Sequence, residues 1–67
     1  MSYPKYHEGD KVIFTIDTMV KHGVIKRQSP STEFYLDNIF YDIVGDWNGQ
    51  KCLYRDVIEK AITKEEE

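Results

Sequence analysis

Apolar and polar residues alternate in the segment 9–17, where Val12, Phe14 and Ile16 occupy every second position. This period of two is typical of a β-strand with one buried face, so the segment is predicted as the first strand. A shorter, more basic strand is predicted at 23–28, after a connecting loop or ragged strand end at 18–22. Proline and small hydroxyl residues break the pattern in "SPST", which favours a loop there. Residues 33–38 are a third strand or a broad loop, and 39–47 are predicted as a fourth strand.

The pair Asn48-Gly49 lies between two largely apolar segments within "YDIVGDWNGQKCLYRDVIEK". Asn-Gly favours a two-residue type I′ turn, because both central residues of that turn need a positive φ. The turn predicts a hairpin whose register brings together two pairs of opposite charge and two apolar pairs. The six predicted pairs are Trp47–Gln50, Asp46–Lys51, Gly45–Cys52, Val44–Leu53, Ile43–Tyr54 and Asp42–Arg55.

The hairpin has one face that is predicted to join the core, and a slip of one residue would turn it outwards. Its members are Tyr41, Ile43, Trp47, Cys52 and Tyr54. The opposite face carries Asp42, Asp46, Lys51 and Arg55, with Val44 and Leu53 between them. Trp47 adjoins the turn, so the pattern leaves it open between the edge of the core and a binding surface.

The C-terminal segment is compatible with two structures. Asp56 and Glu59 have the spacing of a helix cap, which favours a helix. The glutamates at 65–67 would lie at the negative end of that helix, which disfavours extending it. A single helical turn around 55–57 followed by a short strand at 58–62 is therefore predicted.

Several short motifs, taken in order, resemble small SH3-like barrels: "GDKVIF" at 9–14, "GVI" at 23–25, "YDIV" at 41–44 and "LYRDVIEKA" at 53–61. That broad family includes Tudor-like and KOW-like modules and many short proteins of bacteria and phages. The resemblance implies an all-β fold, a five-stranded, partly open barrel with one helical turn before the last strand. It departs from peptide-binding SH3 domains in its first loop, "DTMVKH", which is basic where theirs is acidic.

Composition narrows the class of protein further. The chain has 67 residues and a formal net charge of −3, of which the terminal "KEEE" contributes −2. A single domain over 1–63 with an acidic tail at 64–67 is expected. The lone cysteine, Cys52, fits a reducing cytoplasm, and no apolar run is long enough to span a bilayer. A nearly neutral body gives no overall attraction to nucleic acid or to anionic membranes. The sequence leaves the oligomeric state open, with a monomer favoured.

Two groups of residues are candidate binding sites. The basic set on and beside the first hairpin could contact phosphates of nucleic acid; its members are Lys21, His22, Lys26 and Arg27. The aromatic set could bind a protein or stack bases; its members are Phe34, Tyr35, Trp47 and Tyr54.

No catalytic, metal or cofactor site is predicted. His7, His22 and Cys52 are scattered rather than at the spacing of zinc ligands, and a buried mid-strand thiol is inert. The chain is therefore interpreted as a non-enzymatic binding module for a protein partner. Its resemblance and small size suggest a phage or prophage accessory protein. The alternatives are a nucleic-acid-binding module and a small acidic inhibitor of a nucleic-acid-handling enzyme, the latter through Asp37, Asp42, Asp46 and the glutamate tail.

Overall fold

The structure is a computed structural model that describes residues 4–33 and 38–65. Five strands form one antiparallel sheet in the order β4-β3-β2-β1-β5, so the all-β prediction is confirmed. Their bounds are β1 Lys11–Ile16, β2 Met19–Gln28, β3 Phe40–Trp47, β4 Gln50–Ile58 and β5 Ile62–Lys64. Two short 3-10 turns, Pro30–Glu33 and Glu59–Ala61, are the only helical segments among the described residues. Most of the segment predicted as a third strand or broad loop, 34–37, lies outside them.

The β3–β4 hairpin has the predicted turn and most of the predicted register. Asn48 and Gly49 have φ values of 51° and 79°, as a type I′ turn requires. The five pairs from Trp47–Gln50 to Ile43–Tyr54 are confirmed.

The sixth predicted pair, Asp42 with Arg55, is wrong because the register shifts between Tyr41 and Ile43. An extra residue on β4 forms a β-bulge, with Asp56 at a φ of 55°. Asp42 is buried and is ion-paired instead with Arg27, whose Nε lies 2.7 Å from Oδ2. The backbone N–H of Asp56 also donates to Asp42, at 3.2 Å.

Of the two alternatives predicted for 18–22, a connecting loop and a ragged strand end, the loop is wrong, because 19–22 belong to a strand. The turn between β1 and β2 contains only Asp17 and Thr18, and β2 already begins at Met19. Residue 17 has a φ of 55°, which an aspartate adopts more readily than most residues. The basic "DTMVKH" segment is therefore mostly strand, and its side chains alternate between the two faces of the sheet.

A helical turn does precede the last strand, but it lies further along the chain than predicted. The bulge lets β4 continue to Ile58, so the turn is Glu59–Ala61 rather than 55–57. The last strand is correspondingly Ile62–Lys64 rather than 58–62. Lys64 thus belongs to β5 rather than to a tail, and the backbone N–H of Glu65 donates to the carbonyl of Lys11 at 3.0 Å.

The core lies on one face of the sheet, which we call the inner face. Its buried apolar residues are Val12, Phe14, Ile25, Ile39, Tyr41, Ile43, Val57 and Ile62. Two facing glycines, Gly23 and Gly45, give the Phe14 ring room to cross β2 and β3. A Cβ at Gly23 would lie 2.7 Å from the carbonyl oxygen of Val44 and 3.0 Å from the Phe14 ring.

One end of the inner face is covered by the segment before β1, and we call the hydrogen-bonded group Tyr6, Tyr41, Glu59 and Ile62 the closed end. The Tyr41 hydroxyl donates to the Glu59 carboxylate at 2.7 Å and accepts from the backbone N–H of Tyr6 at 3.3 Å. The Tyr6 hydroxyl donates to the carbonyl of Ile62 at 2.8 Å. The two tyrosine rings meet edge to face, with centroids 5.5 Å apart. These contacts tie the N-terminal segment to β3 and β5.

Candidate protein-binding surface

The opposite end of the inner face lies beside the β1–β2 and β3–β4 turns, and we call its residues Met19, Lys21, Trp47 and Tyr54 the open end. Strand alternation places Trp47 on the same face as Ile43, as predicted, but its side chain lies beyond the buried core and is 53% exposed. Met19 is 52% exposed. Trp47 therefore points to the inner face, as predicted, and its exposure answers the question that the pattern left open, because the ring lies at the surface rather than in the core.

A lysine and two aromatic rings form the centre of the open end. The Nζ of Lys21 lies 5.1 Å from the Trp47 ring centroid and 5.8 Å from that of Tyr54. At these distances the ammonium is attracted by the ring faces. This contact holds the long lysine side chain over the rings, so a cation and a large exposed aromatic surface are adjacent.

Tyr54 is the fixed member of this group. Its ring packs edge to face on the buried Phe14, with centroids 5.2 Å apart. Its hydroxyl donates to the carbonyl of Asp46 at 3.1 Å. The ring is thus held by the core and by β3, and its face is the one that Lys21 approaches.

The predicted basic set does not form one patch. Lys21 and His22 are consecutive strand residues and point to opposite faces, so Lys21 lies over the rings while His22 lies 3.4 Å from the Glu65 carboxylate. Arg27 is paired with the buried Asp42. Lys26 is exposed and forms no ion pair with another described residue.

The outer face of the sheet carries two shallow depressions of about 560 and 540 Å³ that share Val24 and Val44. The first is bordered by charges of both signs, including Lys51, Asp46 and the His22–Glu65 pair. The second lies beside Glu8, Lys26 and Arg27. This mixture of charges gives neither depression a single electrostatic character.

Three other residues were singled out in the sequence, namely Phe34, Tyr35 and Cys52. Phe34 and Tyr35 lie outside the described residues. Cys52 is a free, half-buried thiol on β4. Within 4–33 and 38–65, no cluster of histidine, cysteine and carboxylate side chains has the geometry to hold a metal ion. In the same part of the chain, no helix has the length and hydropathy needed to cross a membrane.

Three groups with shifted pKa values lie away from the open end, and the first is Tyr6, whose pKa is raised by burial and by the nearby Glu59. Burial, followed by the hydrogen bond to Glu59, raises the pKa of Tyr41 to about 12. Hydrogen bonds from the Ser29 and Ser31 groups lower the pKa of Asp56.

Sequence reasoning identified Trp47 and Tyr54 but not the contribution of Lys21 and Met19 to the same surface. The missing information was the pairing of Phe14 with Lys21 and of Ile16 with Met19, which puts both β2 residues on the inner face. A two-residue turn at Asp17-Thr18 would have predicted these pairs.

Comparison with protein-family models, curated proteins and solved structures gives no significant match.

Proposed function

We propose that this chain is a non-enzymatic protein-binding module that contacts its partner through the open end. The observation that carries the proposal is the half-exposed Trp47 ring with the Lys21 ammonium 5.1 Å from its centroid. Exposed tryptophans on rigid supports contribute disproportionately to protein interfaces. Lys21 adds a cation that a partner carboxylate can approach.

We further propose that the sheet is an SH3-like, partly open barrel. The five antiparallel strands and the 3-10 turn before the last strand agree with what the resemblance implies. A barrel of this kind leaves turn-flanking residues at its mouth, and Trp47 directly precedes the β3–β4 turn. A role as a phage or prophage accessory protein remains a proposal that rests on the resemblance and on size.

A protein partner is preferred over the two alternatives because of where the charges lie. Of the predicted phosphate-binding set, Arg27 is paired with Asp42, and Lys21 and His22 lie on opposite faces. Asp42 is only 1% exposed, which removes it from any acidic surface that could imitate phosphates.

Trp47 is the only tryptophan in the chain, so its fluorescence reports on the open end alone. We expect a partner isolated on the immobilised protein, then purified, to shift the Trp47 emission on titration. Trp47→Ala should weaken binding at least about thirtyfold, the effect of a tryptophan that dominates an interface. Val20→Ala is the matched control, because Val20 is an exposed apolar residue on the outer face.

Unchanged affinity in a folded Trp47→Ala protein would contradict the proposal. Binding of a single-stranded oligonucleotide that weakens steeply with salt would favour the nucleic-acid alternative instead. Lys26→Glu is the suitable variant for that measurement. Arg27→Glu is unsuitable, because it would remove the partner of a buried carboxylate and destabilise the fold.

A further inference from the structure

The strand β4 forms one edge of the sheet. Its one side pairs with β3, and no residue within 4–33 and 38–65 pairs with its other side. The free side of an edge strand presents unpaired backbone N–H and C=O groups, to which an extended segment of another protein can add as a further strand.

The turn determines which backbone groups of β4 are free. The residues that flank a two-residue turn, Trp47 and Gln50, exchange both hydrogen bonds, and such pairs alternate along an antiparallel ladder. Residues 50, 52 and 54 therefore bond to β3. The N–H and C=O groups of the intervening residues point away from the sheet at Lys51, Leu53 and Arg55. The bulge at Asp56 ends this regular edge.

The same three residues also share one face, because side chains alternate with a period of two. Lys51 and Arg55 are exposed, and Leu53 between them is half-buried beside Val44. Neither cation forms an ion pair with another described residue, although Asp46 faces Lys51 across the hairpin and the charge of Arg55 helps to lower the pKa of the adjacent Asp56. The edge thus combines free backbone groups with an apolar residue between two exposed cations.

A second copy of this chain fits the edge poorly. The antiparallel register that pairs its whole length would centre on Leu53 and place Lys51 of each copy opposite Arg55 of the other. Like charges directly opposite each other in a sheet are destabilising. The charges instead complement a strand with acidic residues on the matching face.

We propose that the β4 edge from Lys51 to Arg55 binds an extended segment of a partner protein in which one apolar residue stands between two acidic residues at alternate positions. Backbone hydrogen bonds to the edge provide affinity, and the two carboxylates facing Lys51 and Arg55 select the sequence. This surface goes beyond the proposed function, because it is separate from the open end and does not need Trp47.

The probe is a capped seven-residue peptide with glutamate at its second and sixth positions, valine at its fourth and threonine elsewhere. In the free protein, amide hydrogens of Lys51 and Leu53 should exchange faster than those of Cys52 and Tyr54. Added peptide should protect the first two and shift their NMR signals. Unchanged exchange at these amides with saturating peptide would overturn the proposal, as would signal shifts confined to the open end.

Charge reversal tests the selection of sequence. Lys51→Glu/Arg55→Glu should weaken binding of the glutamate peptide about three- to tenfold, from two cross-strand charge pairs. The same variant should gain affinity for a peptide with lysine in place of glutamate. Lys60→Glu/Lys64→Glu is the matched control, since it makes the same change of charge away from β4, and it should leave affinity unchanged.

Leu53→Pro tests the backbone hydrogen bonds to the peptide separately. It removes an N–H group that points away from the sheet and leaves the hydrogen bonds between β4 and β3 intact. It should abolish binding in a protein that keeps its fold. Equal affinity for the glutamate and lysine peptides, or binding by the folded Leu53→Pro protein, would overturn the proposal. Loss of partner binding in Trp47→Ala leaves these results unaffected, so the two surfaces are tested independently.

Discussion

The closed end and the open end of the inner face are built on the same strands but differ in what covers them. At the closed end, the N-terminal segment and the second 3-10 turn seal Tyr41, which is fully buried and hydrogen-bonded to Glu59. At the open end, Trp47 is half exposed, and its neighbour is the charged side chain of Lys21. The fold thus concentrates its stability at one end and leaves a large aromatic surface at the other.

The largest loss of stability is expected from a substitution at the closed end. Tyr41→Ala removes a fully buried aromatic ring and should lower the free energy of unfolding by about 3–5 kcal/mol. That is a large fraction of the stability of a domain this short. Urea denaturation followed by circular dichroism would measure the loss. A decrease of less than about 1 kcal/mol, typical of a surface position, would show that the closed end does not hold the core together.

A second substitution tests the middle of the inner face, where both ends meet at Phe14. Gly23→Ala should cost about 1–3 kcal/mol, because the new methyl group would press on the Val44 carbonyl and the Phe14 ring. Gly45→Ala should cost less, since its nearest contacts are 3.1 Å away rather than 2.7 Å. Equal losses of unfolding free energy for the two variants would contradict this account of the glycines.

The β3–β4 hairpin was predictable because its signal is local. Asn48-Gly49 determines the turn, and the turn determines the register up to the bulge. The bulge itself was not predictable from the pattern. It depends on the long-range pair of Arg27 with Asp42 and on the left-handed backbone of Asp56, neither of which is visible in the alternation of residue types.

The beginning of β2 was missed for a related reason. Its inner-face positions include Lys21 and Gly23, which a binary pattern counts as polar or as a break. Their inner-face positions make sense only from contacts with residues that are distant in sequence. Lys21 lies over the Trp47 and Tyr54 rings, and Gly23 leaves room for the Phe14 ring. The separation of Lys21 from His22, by contrast, follows from strand alternation alone once the strand is known.

The buried phenol of Tyr41 makes the stability of the closed end depend on pH. The pKa of Tyr41 is raised to about 12 by burial and by Glu59, whereas an unfolded tyrosine titrates near 10. The folded state therefore holds this proton more tightly. Its contribution to stability is complete below about pH 10 and is lost as the pH rises towards about 12.

The measurement is urea denaturation across that range for the natural protein and for Tyr41→Phe, which lacks the titrating group. The free energy of unfolding should fall more steeply with pH in the natural protein. Tyr6, whose pKa is also raised by burial, remains in both proteins and is thereby controlled for. Parallel curves would mean that the Tyr41 phenol does not couple to folding.

The smallest expected effect on stability lies at the open end. Trp47→Ala should lower the free energy of unfolding by about 1 kcal/mol, since the ring is half exposed and loses little beyond its contact with Lys21. Lys21→Ala in the same assay should give a similar loss, and the double variant should lose less than the sum of the two. A loss for Trp47→Ala as large as that for Tyr41→Ala would assign Trp47 to the core. The contrast between the two ends, and with it the availability of Trp47 for a partner, would then disappear.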